Sequence, residues 1–254
     1  MRRLSQKENR VGSNPTGGTN FINIGMIKVH TDVNADQYCY DTGLNFGYEV
    51  GQELLQSVLN NESQFERRKN YYKIDDYKGM VRKVGAERTR EIIRRQLQSQ
   101  KMYSGQTPIE FRQYFFNDYF KQKLLSTIPE WLKVSDIEPD CMLQVGDSGS
   151  FLPPHCGHHR KCSLFMLLQA DDQETSWYRP TEDFETIDAL RIPDIDKIEL
   201  CVSVVMEVGK WYMFNNKEWH SVQKYSQGKK RISMGLDFHS ILGIDLVNLI
   251  KSHQ

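Results

Sequence analysis

Hydrophobic positions along this chain follow two different periods. From about Tyr48 to Tyr103 they recur at helical spacing, as in Val50, Leu54, Leu55, Val58 and Leu59. The spacing predicts a second helix over 86–101, with Ile92, Ile93 and Leu97 as its apolar stripe. It predicts a third from Pro108 to just before Pro129, with Ile109, Phe111, Phe115, Tyr119 and Phe120 on an aromatic face. After Pro139 the period shortens. Short β-branched and aromatic runs over 141–145, 162–168, 198–208, 211–214, 220–223 and 231–238 are separated by Gly, Asp and Asn turn signals. Such runs predict an antiparallel sandwich or barrel. The pattern gives an α+β chain in three parts: a tail over 1–25, a helical support over 26–138 and a β core over 139–254.

The tail is rich in Gly, Asn, Ser, Thr and Pro and reads as disordered, with Met26 opening a more protein-like stretch and reading as the natural start. It has no apolar core of the kind a secretory signal needs.

Composition narrows the function. With 33 Lys+Arg against 33 Asp+Glu the formal charge is zero, so nothing marks the whole chain as a nucleic-acid binder. Residues 65–101 nevertheless carry twelve Lys/Arg against five acids. The plain reading is a solvated helical face, or one that meets the acid-rich stretch 171–199; the sharper one is a surface for an anionic partner such as nucleic acid. No apolar run reaches the length of a membrane span. Five scattered cysteines without a C-x-x-C pair make a poor disulfide framework and favour a reducing, cytoplasmic setting.

Three pieces of the β core carry candidate chemistry: Pro154-His155-Cys156-Gly157-His158-His159-Arg160, then Phe214 to His220, then Arg231-Ile232-Ser233. Ten residues with a turn lie between His220 and Arg231, which places them on neighbouring strands. The strand period of 2 puts Arg231 and Ser233 on one face. A guanidinium and a hydroxyl pointing into a barrel together call for an anion, and a carboxylate matches the arginine fork. Trp177 and Tyr178 are candidates for the cavity mouth or for a simple cap of the barrel.

A histidine, a second histidine some tens of residues on, and R-x-S about ten residues later resemble the Fe(II)/2-oxoglutarate-dependent oxygenases. The stretch LPPHCGHHRKCSLFML is most similar to the aspartyl/asparaginyl β-hydroxylase-like branch. The resemblance covers roughly the last 120 residues. It implies a double-stranded β-helix, or jelly roll, with helices packed outside. It implies Fe(II) held by His155 and His220, with 2-oxoglutarate held by Arg231 and Ser233 and Arg160 as a second anion contact. The implied reaction uses O2 to hydroxylate an amino acid, a peptide side chain or another small metabolite, with release of succinate and CO2.

One position departs from the pattern. The usual first motif is His-x-Asp or His-x-Glu, whereas Gly157 stands third here. Three accounts stay open: a two-histidine iron as in the β-hydroxylase branch, a halogenase binding halide at Gly157, or a third ligand from His158, His159 or Asp147. A cupin-like binding module without catalysis is a further alternative. His30-Thr31-Asp32 also spells His-x-Asp, but no barrel strand is expected to follow it, and it reads as a chance match.

Overall fold

The structure is a computed structural model that describes residues 27–65, 67–71, 77–101, 107–108, 110–133, 140–146, 150–157, 160–170, 173–184, 193–222 and 230–254. The expected tail lies outside the described residues.

Thirteen strands and five α-helices are found among the described residues. In chain order they are β1 (Ile27–Val29), β2 (Cys39–Asp41), α1 (Tyr48–Asn60), β3 (Arg67–Tyr71), α2 (Tyr77–Val84), α3 (Ala86–Lys101), β4 (Thr107–Pro108) and β5 (Glu110–Phe115). There follow α4 (Asp118–Thr127), β6 (Asp140–Gly146), β7 (Ser150–His155), β8 (Cys162–Gln169), β9 (Glu174–Pro180), β10 (Ile198–Val205), β11 (Trp211–Asn215), β12 (Trp219–Val222), β13 (Arg231–Phe238) and α5 (Gly243–Lys251). One sheet runs β1-β10-β9-β12-β7-β4 and the other β2-β11-β8-β13-β6-β5-β3. All pairings are antiparallel except the two-residue ladder of β4 on β7. The last eight strands alternate between the sheets, apart from β9 and β10, which are neighbours. This is the connectivity of a jelly roll.

Two separate cores follow from the strand period. Ile232, Met234, Leu236 and Phe238 of β13 join Leu164 and Met166 of β8 on one face, under Leu54 and Leu55 of α1, Leu124 of α4 and Leu246 and Ile250 of α5. Between the sheets a second cluster gathers Phe165, Leu167, Trp177, Val202, Val204, Tyr212 and Phe214. Covered on both sides, every residue of β13 is buried.

The helical reading of the first half needs correction at two places. The third expected helix is a strand, β5, followed by a separate helix, α4. Phe111, Gln113 and Phe115 lie opposite Gly146, Gln144 and Met142 of β6, so the period there is 2. Asn117 stops the strand and caps α4, its side chain accepting from the Phe120 amide at 3.1 Å. Residues 67–71 likewise extend the sheet as β3. The support region thus supplies five strands to the two sheets and is not a purely helical layer. The second expected helix matches α3 end to end. Trp177 and Tyr178 sit within β9, a strand the residue pattern did not separate from its acidic surroundings; Trp177 is fully buried in the inter-sheet core.

The basic and acid-rich stretches do meet. Arg94 reaches Asp194 at 2.9 Å and Gln98 reaches Asp196 at 3.0 Å, which ties α3 to the segment before β10. His30 follows β1 directly, with its Nε2 at 2.8 Å from Ser203 Oγ, a structural contact at the sheet edge.

Gly51 sets how closely α1 approaches the sheet. A Cβ there would lie 2.7 Å from Leu168 Cδ2 and 3.1 Å from Met234 Cε. Gly51→Leu is therefore expected to destabilise the protein by about 1–3 kcal/mol through overpacking, measured by urea denaturation.

Candidate metal and anion site

His155 is the last residue of β7, and His220 lies in β12. The two strands pair so that these residues stand directly opposite each other. Their ring centroids are 4.3 Å apart. The segment leading into His155 explains its pose. Pro153 and Pro154 have no N–H to give the ladder, and the register of β7 on β12 shifts there, with Val222 opposite Leu152. His155 Nδ1 then lies 2.9 Å from the Pro153 carbonyl, and His220 Nδ1 lies 2.9 Å from the Glu218 carbonyl. Each carbonyl can only accept, so each ring carries its proton on Nδ1 and its lone pair on Nε2. Burial holds both imidazoles neutral. It pulls His155 down to about 4, and it pulls His220, also repelled by His155, well below the ordinary value of 6.5.

Arg231 begins β13 and is buried. Its Nη2 donates to Thr175 Oγ1 across the gap between the sheets at 3.2 Å, and the guanidinium lies 5.2 Å from the Phe165 ring centroid. Both histidines and Arg231 border one partly open cavity of about 40 Å3, together with Gln144, Arg160, Asn216 and Asp237. That volume takes an ion and one or two waters but not a diacid at rest. Ser233 shares the face of Arg231 and is buried, in register between Gln144 and Leu167. Among the described residues it is Gln144, not Ser233, that borders the cavity.

Arg160 is committed elsewhere than its sequence position implied. Its Nη1 lies 3.1 and 3.0 Å from the two carboxylate oxygens of the buried Asp237. Ser163 Oγ also donates to Asp237, and Asn216 Nδ2 donates to Ser163 Oγ at 2.6 Å. The expected role of Arg160 as an anion contact gives way to an internal ion pair, because its charge is already met. Asp237 went unnoticed in the sequence, yet its place was accessible: on β13 it is three pleats along from Arg231 on the same face.

Gly157 is also explained. A Cβ there would come within 2.9 Å of Asn216 Cβ and 3.0 Å of the Asn216 carbonyl, which accepts from the Gly157 amide at 2.5 Å. The chain turns so tightly against Asn216 that a carboxylate side chain has no way out. His158, His159 and Asp147, the other candidates for a third ligand, lie outside the described residues. Among the described residues no group of three His, Cys, Asp or Glu side chains could hold an ion together. Cys162 is buried, with its thiol toward the Ile241 carbonyl, and Cys156 is half-buried.

No family model matches the chain, and neither does any curated protein. Among solved structures it is weakly similar to vicilin from Corylus avellana (hazelnut), at 11% identity over 54% of this chain and 31% of that one, with a TM-score of 0.30. It is also weakly similar to YcfD of E. coli, at 12% identity over 54% of this chain and 36% of that one, with a TM-score of 0.34. The chain thus spans about a third of the length of each. No described helix is long and apolar enough to cross a membrane.

The histidine pair gives the metal-free protein a pH dependence of known sign. The unfolded imidazoles bind protons near 6.5 and the folded ones only much lower, so acidification favours unfolding. Stability should fall as pH drops from 6.5 toward 4, by roughly 2 kcal/mol from His155 alone between 6.5 and 5. Urea midpoints of chelator-treated protein at these pH values measure it, and the His155→Gln, His220→Gln double variant should flatten the slope.

Proposed function

We propose that this protein is a non-haem Fe(II)/2-oxoglutarate-dependent dioxygenase, a hydroxylase whose iron is held by His155 and His220. The observation that carries the reading is the cross-strand pair of neutral histidines, both protonated on Nδ1, on the wall of a cavity that also contains Arg231. The alternation of β6 to β13 between the two sheets supports the finer description of the fold as a double-stranded β-helix.

The donor set suits the metal. Imidazole nitrogens accommodate Fe(II), and a backbone carbonyl accepting from the far ring nitrogen is the usual way such a ligand is oriented. Two protein ligands leave several coordination positions for a 2-oxo acid and O2. When bound, the iron would supply the oxidising power for inserting oxygen into a C–H bond, with 2-oxoglutarate oxidised to succinate and CO2. The chain's own residues do the rest. His155 and His220 offer lone pairs without first having to lose a proton near neutral pH. Arg231, braced by Thr175 and Phe165, offers a fixed positive fork for the distal carboxylate. The apolar wall of Phe165, Phe214 and Val222 keeps water from the reacting end.

The halide reading draws no support from Gly157, since the direction a side chain would take there is filled by Asn216. A cupin-like metal-binding module without turnover is the second reading. The 40 Å3 cavity favours it in one respect, because it admits an ion more readily than a cosubstrate.

Purified protein given Fe(II), O2 and 2-oxoglutarate should form succinate above a metal-free control. His220→Ala should abolish both Fe(II) binding and succinate formation. Arg231→Lys should raise KM for 2-oxoglutarate by roughly 10- to 100-fold, through loss of the fork, with metal affinity unchanged. Tight Fe(II) binding with no succinate would establish the module instead.

A further inference from the structure

The cations of α2 and α3 divide into two sets. Arg94 and Arg95 are committed to the protein: both bind Glu91, and Arg94 also reaches Asp194 on the segment before β10. Lys78, Arg82, Lys83 and Arg90 are exposed, and none of the four pairs with an acid among the described residues. Arg88 is exposed beside them. Glu87 is the one exposed acid from 78 to 94. Residues 78–95 carry seven Lys/Arg against two Glu, an excess of five positive charges that the rest of this neutral chain balances.

The surface is also shaped. Gly85 alone joins the two helices, with φ at +87°, and a Cβ on it would meet nothing within 4 Å. Residues 85–88 are all exposed, so the corner stands out from the fold. None of these residues borders the histidine cavity, so the surface is separate from it.

The side chains missing from this surface decide the partner. A protein partner is held by a desolvated centre of aromatic or other apolar side chains, and an anionic membrane by apolar groups inserted between the cations. From 78 to 94 no large apolar side chain is exposed; Leu97, a turn further on, is a single one. No aromatic residue stands between 78 and 94 for bases to stack on, which disfavours a single strand. A double-helical phosphate backbone asks only for long cations with several donors each. The major groove of B-form DNA admits a protruding helical corner, whereas that of A-form RNA is too narrow.

We propose that the corner formed by α2, Gly85 and α3 is a docking surface for duplex DNA. Lys78, Arg82, Lys83, Arg88 and Arg90 bind its phosphates without reading sequence, and Glu87 weakens that attraction. The proposal is independent of the oxygenase reading.

The test is fluorescence anisotropy of a labelled mixed-sequence DNA duplex titrated with the full chain. With four or so phosphates neutralised, affinity should fall by about a hundredfold between about 50 mM and about 200 mM KCl. A duplex of unrelated sequence should bind equally well. The double reversal Arg82→Glu, Lys83→Glu should weaken binding by about tenfold or more at the lower salt. Glu87→Gln should strengthen it by about two- to fivefold, a gain that loss of folding cannot mimic. His220→Ala should leave DNA binding intact, so the surface and the oxygenase reading stand or fall separately. No binding at the lower salt, affinity indifferent to salt, or wild-type affinity in the reversed and Glu87→Gln variants would each overturn the proposal. Equal or tighter binding of duplex RNA, of polyglutamate, or of vesicles with about three parts phosphatidylcholine to one of phosphatidylserine would overturn the assignment to DNA.

Discussion

Two imidazoles can share an ion only if the backbone brings them face to face and holds their protons away from it. Here both conditions come from the pairing of β7 with β12. The antiparallel register sets His155 opposite His220, and the two prolines before His155 interrupt the ladder so that a backbone carbonyl receives its Nδ1 proton. A one-residue slip of either strand would turn its own histidine to the other face of the sheet and separate the pair. Phe214 holds His220 from a third strand, its ring edge-on with centroids 4.7 Å apart. The cavity, its polar lining and the tight turn at Gly157 are all arranged about this pair.

The interior between the sheets is graded from apolar to polar, and β13 shows how one strand serves both ends. Arg231, Gly235 and Asp237 border the cavity, while its even-numbered residues pack under the helices. Placing a guanidinium and a carboxylate on the same buried face is costly unless each is met. They are met separately: Arg231 by Thr175 and the Phe165 ring, Asp237 by Arg160 and Ser163. Gly235 between them keeps the two charges apart without adding bulk. The Asp237 network runs on through Ser163 to Asn216 and so to the Gly157 turn. The ion pair and the end of the first histidine motif are therefore one connected unit.

Much of this was legible in residue order alone, for a physical reason. Period 2 in Arg-Ile-Ser places Arg231 inward without any knowledge of the partner strands, and α3 is readable from its own stripe. Strand β5 was not legible as such, because the spacing of four between Phe111 and Phe115 satisfies a helical count as well as an alternating one, and only pairing with β6 decides between them. Strand β9 hid in an acid-rich surround. The partner of Arg160 was invisible because Asp237 lies 77 residues away and meets it only once β8 and β13 are neighbours.

Both polar ends of the cavity border a methionine sulfur. Met206 lies 3.8 Å from Arg231 Nη2, and Met142 sits among the nitrogens of Gln113, Gln144 and Arg160. This bears on how a cavity of about 40 Å3 could serve molecules several times larger. Leucine or phenylalanine at either place would pack well and leave only at the full cost of a void. A thioether on three rotatable bonds fills the space at rest and can re-pack elsewhere with little strain. It also gives each cation or amide a weak contact that a carboxylate or carbonyl easily outbids.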